Sequence, residues 1–402
     1  MSDRPDLPAG LPPDSDPSAP EPPPSAWVAG TETGPDALAP KHPTGKGENV
    51  LSKALQNRHL GWVALALAVI APFVDGSTYA IGIMTNVLIY VMLAVGLNIV
   101  VGYCGLLDLG FAAFYAIGAY VSGSVAKILG WPILATLPIV LVVAIFAGVI
   151  IGGPTLRLRS DYLAIVTLGF GEIIRITANN VTVTWHAMPI ISGPSGIYGI
   201  PPLSIGGLDL GPNSNPKGSY FATLVIVAIG VLIASRLGRG RLGRAWRFIR
   251  EDEDAAEAMG IHTYTVKLAA YIAGAMFGGV AGILWGAKQT AVSPTDFTFL
   301  YSALILMAVV LGGMGSIPGV ILGAIVISAL PDLLTGAGSW RFVIFGVLLI
   351  VVMIFRPQGL WPHRAVERVR RRLRSSDGPP GGPSGDDDPG RTGSSEPEAV
   401  TT

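Results

Sequence analysis

Long apolar blocks separated by polar stretches run through the middle of the chain. Between residues 59 and 362 ten apolar segments follow one another, and nine of them carry no charge across their centres. A membrane-spanning helix needs about 17–25 mainly apolar residues, so this pattern predicts ten spanning helices. The segments are 60–75, 79–102, 108–129, 131–153, 162–180, 219–235, 266–287, 299–314, 317–335 and 341–355. Those at 60–75, 299–314 and 341–355 are short for a span.

The composition supports an all-α fold, a polytopic transmembrane helical bundle. Of the 402 residues, 50% are hydrophobic and 13% are charged, whereas soluble domains contain about 25% charged residues. The domain boundaries predicted from composition place the membrane domain at 59–362. Residues 1–58, with twelve prolines in the first 43, and residues 363–402, basic and then rich in Gly, Pro and Asp, are predicted to be disordered tails.

The distribution of basic residues predicts the orientation of the helices, because Lys and Arg near helix ends favour the cytoplasm. Basic clusters precede the first segment and follow the fourth, sixth and tenth segments, so all four fall on one side. Both termini are therefore predicted to be cytoplasmic in a multi-pass protein of the cell membrane. The same parity places the loop 181–218 outside and the loop 236–266 inside.

No group of residues typical of an enzyme site is recognisable. The five histidines are scattered and lack the spacing of metal ligands, so no metal site is predicted. A phosphate-binding G-x-x-x-x-G-K-[ST] motif is also missing from the sequence. Energy for any transport must therefore come from an ion gradient or from a separate ATPase subunit, and no cofactor is expected on this chain.

The inner loop 236–266 contains two helix signals. Leu242, Ala245, Trp246 and Ile249 follow an amphipathic spacing with arginines between them, which is typical of a helix at a membrane surface. An acidic run follows this first signal. Within it Asp254 is predicted as the N-cap of a second helix over about 255–259, with Glu257 at N3, and Gly260 ends that helix.

Five stretches of the chain resemble the permeases of ATP-binding cassette importers for branched-chain amino acids, in the form of their M-type subunits. The inner loop resembles the E-A-A loop of such permeases, with Glu257, Ala258 and Gly260 at its core. The other four stretches are "GLNIVVGYCGLLDLGFAAFYAIGAY", "LRLRSDYLAIVTLGFGEIIRI", "VLGGMGSIPGVILGA" and "RPQGLWP". Together the five cover roughly residues 87–362.

The resemblance implies an importer that carries branched-chain amino acids into the cytoplasm. It implies a homologous second permease subunit, two ATPase subunits that hold ATP and Mg²⁺, and an extracytoplasmic substrate-binding protein; no nucleic acid is implied. In such permeases the loop helix transmits motion from the ATPase. The matching positions, predicted here as coupling residues, are Arg250, Asp252, Ala256, Glu257, Ala258 and Gly260.

Polar residues within the apolar segments are candidates for the translocation path, because polar groups are expensive in a membrane. Asn98, Asp108 and Glu172 are the candidates, and Asp108, at the start of the third segment, lies in a glycine-flanked turn. Glu172 and Arg175 are three residues apart and can pair on one helix face. Each candidate serves either the substrate path or helix packing. Phe111 stands where relatives often have His or Tyr, so polar contacts of that position are not transferred.

The outer loop and the glycine-rich segments each have two interpretations. Ser192, Gly193 and Gly196 lie in "SGPSGIYGIPP", which resembles the external loop of the family and would meet the binding protein or simply form turns. Glycines recur every four residues over 274–286 and over 315–323, which favours close helix packing.

Two other functions remain open at this point. Urea and short-chain amide importers have permeases with the same family pattern, so the cargo rests on the resemblance alone. A gradient-driven secondary transporter would need ion-coupling carboxylates near the midplane, and only Glu172 approaches that position. A scaffold protein would not need a capped cytoplasmic helix.

Overall fold

In the computed structural model, the described residues are 60–334, apart from 75, 159, 186–187 and 206–207, together with 340, 343, 346–347, 350, 354 and 360. Apart from Leu60, they belong to one compact unit that starts at Gly61. The predicted tails 1–58 and 363–402 lie outside the described residues, as do most of the tenth segment and the "RPQGLWP" stretch apart from Leu360.

The described part of the chain is a helical bundle, which confirms the predicted fold class. Nine of the ten predicted segments coincide with helices. The eleven helices in this part of the chain are α1 Leu60–Val74, α2 Thr78–Leu97, α3 Ala112–Leu129, α4 Leu137–Thr155, α5 Ser160–Asn180, α6 Pro216–Arg239, α7 Arg241–Glu251, α8 Glu253–Ala258, α9 Thr263–Gln289, α10 Phe299–Gly312 and α11 Ile317–Leu333. A π-helix, Asn98–Tyr103, continues α2, and 3₁₀ turns cover Ile133–Thr136, Gly193–Ser195 and Pro294–Phe297.

Five helical stretches in the described residues are long and apolar enough to cross a membrane. They are Thr78–Tyr103, Ala112–Leu129, Ile133–Thr155, Pro216–Arg239 and Thr263–Gln289. Helix α5 has 21 residues but includes the charged pair Glu172 and Arg175. Helices α1, α10 and α11 are short, with 15, 14 and 17 residues.

Helix α9 lies at the centre of the bundle and packs against α2, α3 and α4. The glycine face predicted on α9 explains how closely α3 can approach. A Cβ atom added to Gly282 would lie 2.4 Å from the amide nitrogen of Ala119 and 2.5 Å from the carbonyl oxygen of Tyr115. The prediction that these glycines serve helix packing is therefore confirmed at this crossing.

The predicted start of the third helix is wrong. The third helix was expected to begin at Asp108, but α3 begins at Ala112. The Asp108 carboxylate accepts a hydrogen bond from the Gly110 amide at 2.8 Å, and the Ser302 hydroxyl accepts one from the Ala112 amide at 2.9 Å. These side-chain contacts satisfy one backbone donor before the helix and one at its first residue, while the chain from Cys104 to Phe111 is irregular.

The segment 181–218 is more ordered than a plain connector, because it contains five short strands. Strands β1 Thr182–Trp185 and β2 Met188–Ser192 form an antiparallel hairpin, and β4 Ser204–Ile205 pairs with β5 Leu208–Asp209. Strand β3 Ile197–Tyr198 pairs with β6 Ala291–Val292, which follows α9. We call the end of the bundle with these strands the hairpin end, and the opposite end, with α7 and α8, the α8 end.

Candidate functional site

Helix α7 is amphipathic, as predicted, but its apolar face packs on the protein. Trp246 is fully buried, its indole nitrogen donates to the carbonyl oxygen of Val266 at 2.8 Å, and its ring stacks on Tyr103 with centroids 6.5 Å apart. Ile249 is also buried, whereas Leu242, expected on the same face, is 46% exposed. The helix is therefore anchored to the core through Trp246.

Arg250, a predicted coupling residue, is held against the π-helix. Its guanidinium donates a hydrogen bond to the carbonyl oxygen of Gly102. Its side chain also runs along Gly105, where an added Cβ would lie 2.9 Å from the Arg250 Cγ atom. Carbonyls of a π-helix bond five residues ahead instead of four, and such segments are frequent at functional sites. Arg250 thus joins the end of α7 directly to the irregular part of α2.

The π-helix in turn is tied to the turn between α10 and α11. Asn98 is fully buried, and its side-chain oxygen accepts a hydrogen bond from the Gly315 amide at 2.8 Å. Gly102 makes room for this bond, because a Cβ there would lie 1.9 Å from the Asn98 side-chain oxygen. Gly102 therefore contacts Arg250 through its carbonyl and leaves space for the Asn98–Gly315 bond.

The start of α8 corrects the predicted cap. Asp252, not Asp254, is the N-cap residue: its backbone is extended and its carboxylate accepts a hydrogen bond from the Ala255 amide at 3.0 Å. Because α7 already ends at Glu251, the new helix starts two residues earlier than expected. Ala255 is therefore the N3 residue, and Glu257 has no capping role.

The end of α8 confirms the predicted stop at Gly260. This glycine has a φ of +82°, and its amide donates to the Glu257 carbonyl at 2.9 Å. The Ile261 amide donates to the Ala256 carbonyl at 3.1 Å, which completes a Schellman motif. Glu257, Ala258 and Gly260 are exposed, whereas Ala256 is buried. The hydrogen bonds at the C-terminal end of α8 are thus satisfied, and this end, with Glu257, Ala258 and Gly260, is the exposed tip of the helix.

An ion pair that sequence reasoning missed fixes α8 to the bundle. Lys267 of α9 is 9% exposed and pairs with Glu253 in the first turn of α8. Gly102, which accepts the hydrogen bond of Arg250, and Tyr103, which stacks on Trp246, were also not predicted from the sequence. Arg250 and Gly102 are 148 positions apart in the chain, so no local spacing could have indicated the contact.

The three predicted path residues are not brought together. Asn98 is bonded to Gly315, and Asp108 is fully buried in its turn with one oxygen on the Gly110 amide. The other Asp108 oxygen has no hydrogen bond of good geometry within the described part of the chain. Burial raises the pKa of this carboxyl to about 6, although the Gly110 amide and nearby hydroxyls act in the opposite direction.

Glu172 and Arg175 form the pair that their spacing predicted. The Arg175 Nε atom donates to both Glu172 oxygens at 3.0 Å. The pair is partly exposed, and Glu172 borders a small cleft between α3, α5 and α10. Its geometry fits packing within α5 and leaves the role of Glu172 in the path a prediction.

The outer-loop residues form a tight turn at the hairpin end. Ser192 ends β2, and Gly193 and Gly196 follow with φ angles of +55° and +74°. A Cβ on Gly196 would lie 2.0 Å from the Val292 carbonyl oxygen, so this glycine permits the approach of β6. Within the described residues, no group of three or more His, Cys, Asp or Glu side chains is placed to hold a metal ion.

Comparison with known proteins gives consistent matches. The family described as "Branched-chain amino acid transport system / permease component" matches residues 79–355. The chain is 41% identical over 318 residues to the high-affinity branched-chain amino acid transport system permease protein LivM of Escherichia coli (strain K12), covering 74% of this chain and 73% of the relative.

Two more distant relatives carry the same kind of name. The permease protein BraD of Pseudomonas aeruginosa is 29% identical over 291 residues, covering 70% of this chain and 94% of the relative. The permease protein LivH of Escherichia coli (strain K12) is 26% identical over 296 residues, covering 70% and 93%. No solved structure matches the chain.

Proposed function

The chain belongs to the family of branched-chain amino acid transport permeases, and from this premise we propose that it forms one membrane-spanning half of an ATP-driven importer of leucine, isoleucine and valine. The observation that carries the proposal is the 41% identity to LivM of Escherichia coli over most of both chains. The long apolar helices are consistent with a permease, which is a transport component and not an enzyme.

The partners follow from the same comparison. This chain is related both to LivM and to LivH, two permease proteins of the branched-chain amino acid system in one bacterium. We therefore propose that a second permease of the LivH type completes the membrane unit. Two ATPase subunits, with their ATP and Mg²⁺, and an extracytoplasmic binding protein would supply energy and substrate.

The proposed orientation puts the α8 end in the cytoplasm and the hairpin end outside. Arginines concentrate where α6 meets α7, at positions 236, 239, 241, 244, 247 and 250, and the hairpin end has few charges. Basic loops of this kind favour the cytoplasmic side. Both termini would then also be cytoplasmic.

In this orientation α8 is the part that an ATPase subunit would engage. Its exposed tip at Glu257, Ala258 and Gly260 would be the contact, and buried Ala256 would seat the helix. Movement of the helix would pass through Asp252 to Arg250 and then to the π-helix at Gly102. From there the bond between Asn98 and Gly315 would carry it to the α10–α11 turn. Hydrogen-bonded contacts between packed elements, such as these, suit the transfer of motion between two arrangements.

Reconstitution tests the proposal. The chain, with its LivH-type partner, the ATPase subunits and the binding protein, is placed in liposomes with ATP inside, and uptake of labelled leucine is measured. Uptake that needs both ATP and the binding protein is expected. Leucine uptake by the chain alone on a sodium or proton gradient would overturn the importer assignment, and ATP-driven uptake of urea without leucine would overturn the cargo.

A further inference from the structure

A polar cluster that none of the assignments above uses lies at the hairpin end, where α2, α9, α10 and α11 meet. Its centre is Lys288, in the last turn of α9. The Lys288 ammonium donates a hydrogen bond to the side-chain oxygen of Asn86 on α2 at 2.8 Å, and it lies 5.9 Å from the centre of the Trp285 ring. This cation is thus held in place by an amide and an aromatic face.

Negative and hydroxyl groups from two further helices face the same region. Asp332, in the last turn of α11, lies near enough to Lys288 and to Tyr90 of α2 for its charge to act on both. Tyr301, in the first turn of α10, also lies near Tyr90. The bundle therefore brings one cation, one carboxylate and two phenols to one region from four separate helices.

Trp285 forms the inner wall of this region and has an unmade hydrogen bond. The residue is 8% exposed, and its indole N–H has no partner among the described residues. A buried donor without a partner costs about 1–3 kcal/mol, so such groups normally face a water or a ligand. The Trp285 ring packs edge-on against Tyr115, 6.1 Å away, and Tyr115 packs against Phe297 at 5.0 Å. An apolar aromatic surface thus borders the polar groups.

The position of the cluster favours an entrance over a lipid-facing surface. Lys288, Tyr301 and Asp332 lie in terminal turns of their helices, whereas Asn86 is the ninth residue of α2, about 12 Å along that helix from its start. Ionisable groups in membrane proteins almost always face the protein interior or a water-filled cavity. Asn86, Tyr90, Lys288, Tyr301 and Asp332 are all partly exposed. A partly exposed polar surface that starts at the helix ends and extends inward to Asn86 fits a water-filled entrance.

We propose that Lys288, Asp332 and Trp285 form an entry site that recognises the zwitterionic end of an aliphatic α-amino acid. Lys288 and the Trp285 N–H bind the substrate carboxylate, Asp332 binds the ammonium, and the aromatic wall contacts the aliphatic side chain. The site rests on the proposed function, since it takes the amino acid that the importer would carry. Urea has no charge to pair with Lys288 or Asp332, so the site disfavours it.

The main test changes the charge of Lys288 in the complete reconstituted importer. Lys288→Met keeps the length and apolar stem, removes one charge-assisted hydrogen bond, and is expected to lower leucine uptake about tenfold. Lys288→Arg is expected to restore most of it. The control is Lys217→Met, since Lys217 is an exposed lysine at the start of α6, with its ammonium 5.5 Å from the Phe73 ring. Leucine uptake and ATP hydrolysis of Lys217→Met, and the thermal midpoints of all three variants in detergent, are expected to match wild type.

The outcomes separate the two proposals. If the wild-type complex takes up no leucine, the proposed function fails. If the wild type takes up leucine and Lys288→Met does so as well as Lys217→Met, only the entry site fails. Loss of uptake with a lowered thermal midpoint in both Lys288 variants would assign Lys288 to packing and also overturn the site.

A second test asks whether leucine occupies the cluster. Tyr301→Cys introduces a thiol next to the site, and the native Cys104 is buried and does not compete for a membrane-impermeant thiol reagent. Leucine is expected to slow labelling of Cys introduced at 301 in the complex, and Lys288→Met is expected to abolish that protection. Labelling that leucine does not change, or no labelling at all, would contradict a water-accessible amino acid site.

Discussion

The two ends of the bundle treat their polar groups differently. At the α8 end Arg250 is bonded to Gly102, Trp246 to Val266 and Lys267 to Glu253. At the hairpin end Lys288 is bonded to Asn86, but the Trp285 N–H next to it is buried without a partner in the described part of the chain. Buried polar atoms without a partner among the described residues also occur near the α8 end, at the Asn98 side-chain nitrogen and the Arg247 Nε atom. The two ends therefore differ in the kind of group: at the α8 end side chains bond across elements to carbonyls and to one another, whereas at the hairpin end a cation lies beside an unpartnered donor and an aromatic wall. This contrast supports the proposals of coupling at one end and recognition at the other.

The largest expected effect comes from Gly102, where the α8 end meets the core. Gly102→Ala would force a methyl group to 1.9 Å from the Asn98 oxygen and break the bond to Gly315. We expect a loss of stability of at least about 1–3 kcal/mol, seen as a lower thermal midpoint in detergent. Gly82→Ala on the same helix is the control, because nothing lies within 4 Å of its Cβ position. Equal midpoints for both variants would contradict the tight fit.

Next in size is the removal of the Arg250 contact. Arg250→Gln is expected to reduce leucine uptake about tenfold, because losing a hydrogen bond to a charged group costs about 1.5–3 kcal/mol, while ATP hydrolysis continues. Leucine uptake and ATP hydrolysis are measured on the same preparation, and uptake alone should fall. Arg244→Gln serves as control, since Arg244 is exposed and its contact, at 3.4 Å to the Arg239 carbonyl, is local. A parallel fall of uptake and hydrolysis would place Arg250 outside the coupling route.

Gly260→Ala should have a smaller effect. Its φ of +82° is strained for alanine by about 1–2 kcal/mol, so the end of α8 should loosen and uptake per ATP should fall several-fold. Gly199→Ala at the hairpin end introduces similar strain at a φ of +71°, and neither position has an atom within 4 Å of the added Cβ. If both variants lower uptake per ATP equally, backbone strain rather than coupling explains the result.

The smallest expected effect is at Trp285. Trp285→Phe keeps an aromatic ring in the wall, removes the buried N–H that has no partner among the described residues, and makes the side chain smaller. Leucine uptake should fall about two- to threefold, which corresponds to about 0.5 kcal/mol, the lower end of the range for one hydrogen bond. The thermal midpoint should change little, because the loss of an unsatisfied group stabilises while the smaller ring leaves a cavity. Leucine uptake equal to that of the wild type would contradict a role of the N–H in binding the substrate.

At the α8 end much of the structure was predicted from the sequence, whereas at the hairpin end little was. The apolar blocks and the stop at Gly260 depend on local composition, and both were predicted. The N-cap was misplaced because Asp252 and Asp254 suit it equally well, and only the end of α7 at Glu251 decides between them. Lys288 was not predicted as a functional residue, because a lysine near a helix end normally extends to the membrane surface.

Long-range contacts explain the remaining differences. The π-helix has no sequence signature, and Gly102 shows its role only next to Asn98, Gly315 and Arg250. Likewise, Asn86 and Lys288 lie 202 positions apart, so their bond cannot be inferred from spacing. Asn98 and Asp108, predicted as path residues, have backbone partners at Gly315 and Gly110, and their role in the path stays a prediction.

The π-helix Asn98–Tyr103 also limits which mutations of this gene the protein can tolerate. Each carbonyl in this segment bonds five residues ahead, one more than in a regular α-helix, so deleting one codon here would let the α-helical pattern continue in its place. The positions that Gly102 and Tyr103 hold against Arg250 and Trp246 would then change together. A substitution in this segment removes one contact, but a single-codon deletion removes all of them together. A relative with a one-residue gap at this place would therefore need different contacts between its membrane helices and the helices of its cytoplasmic loop.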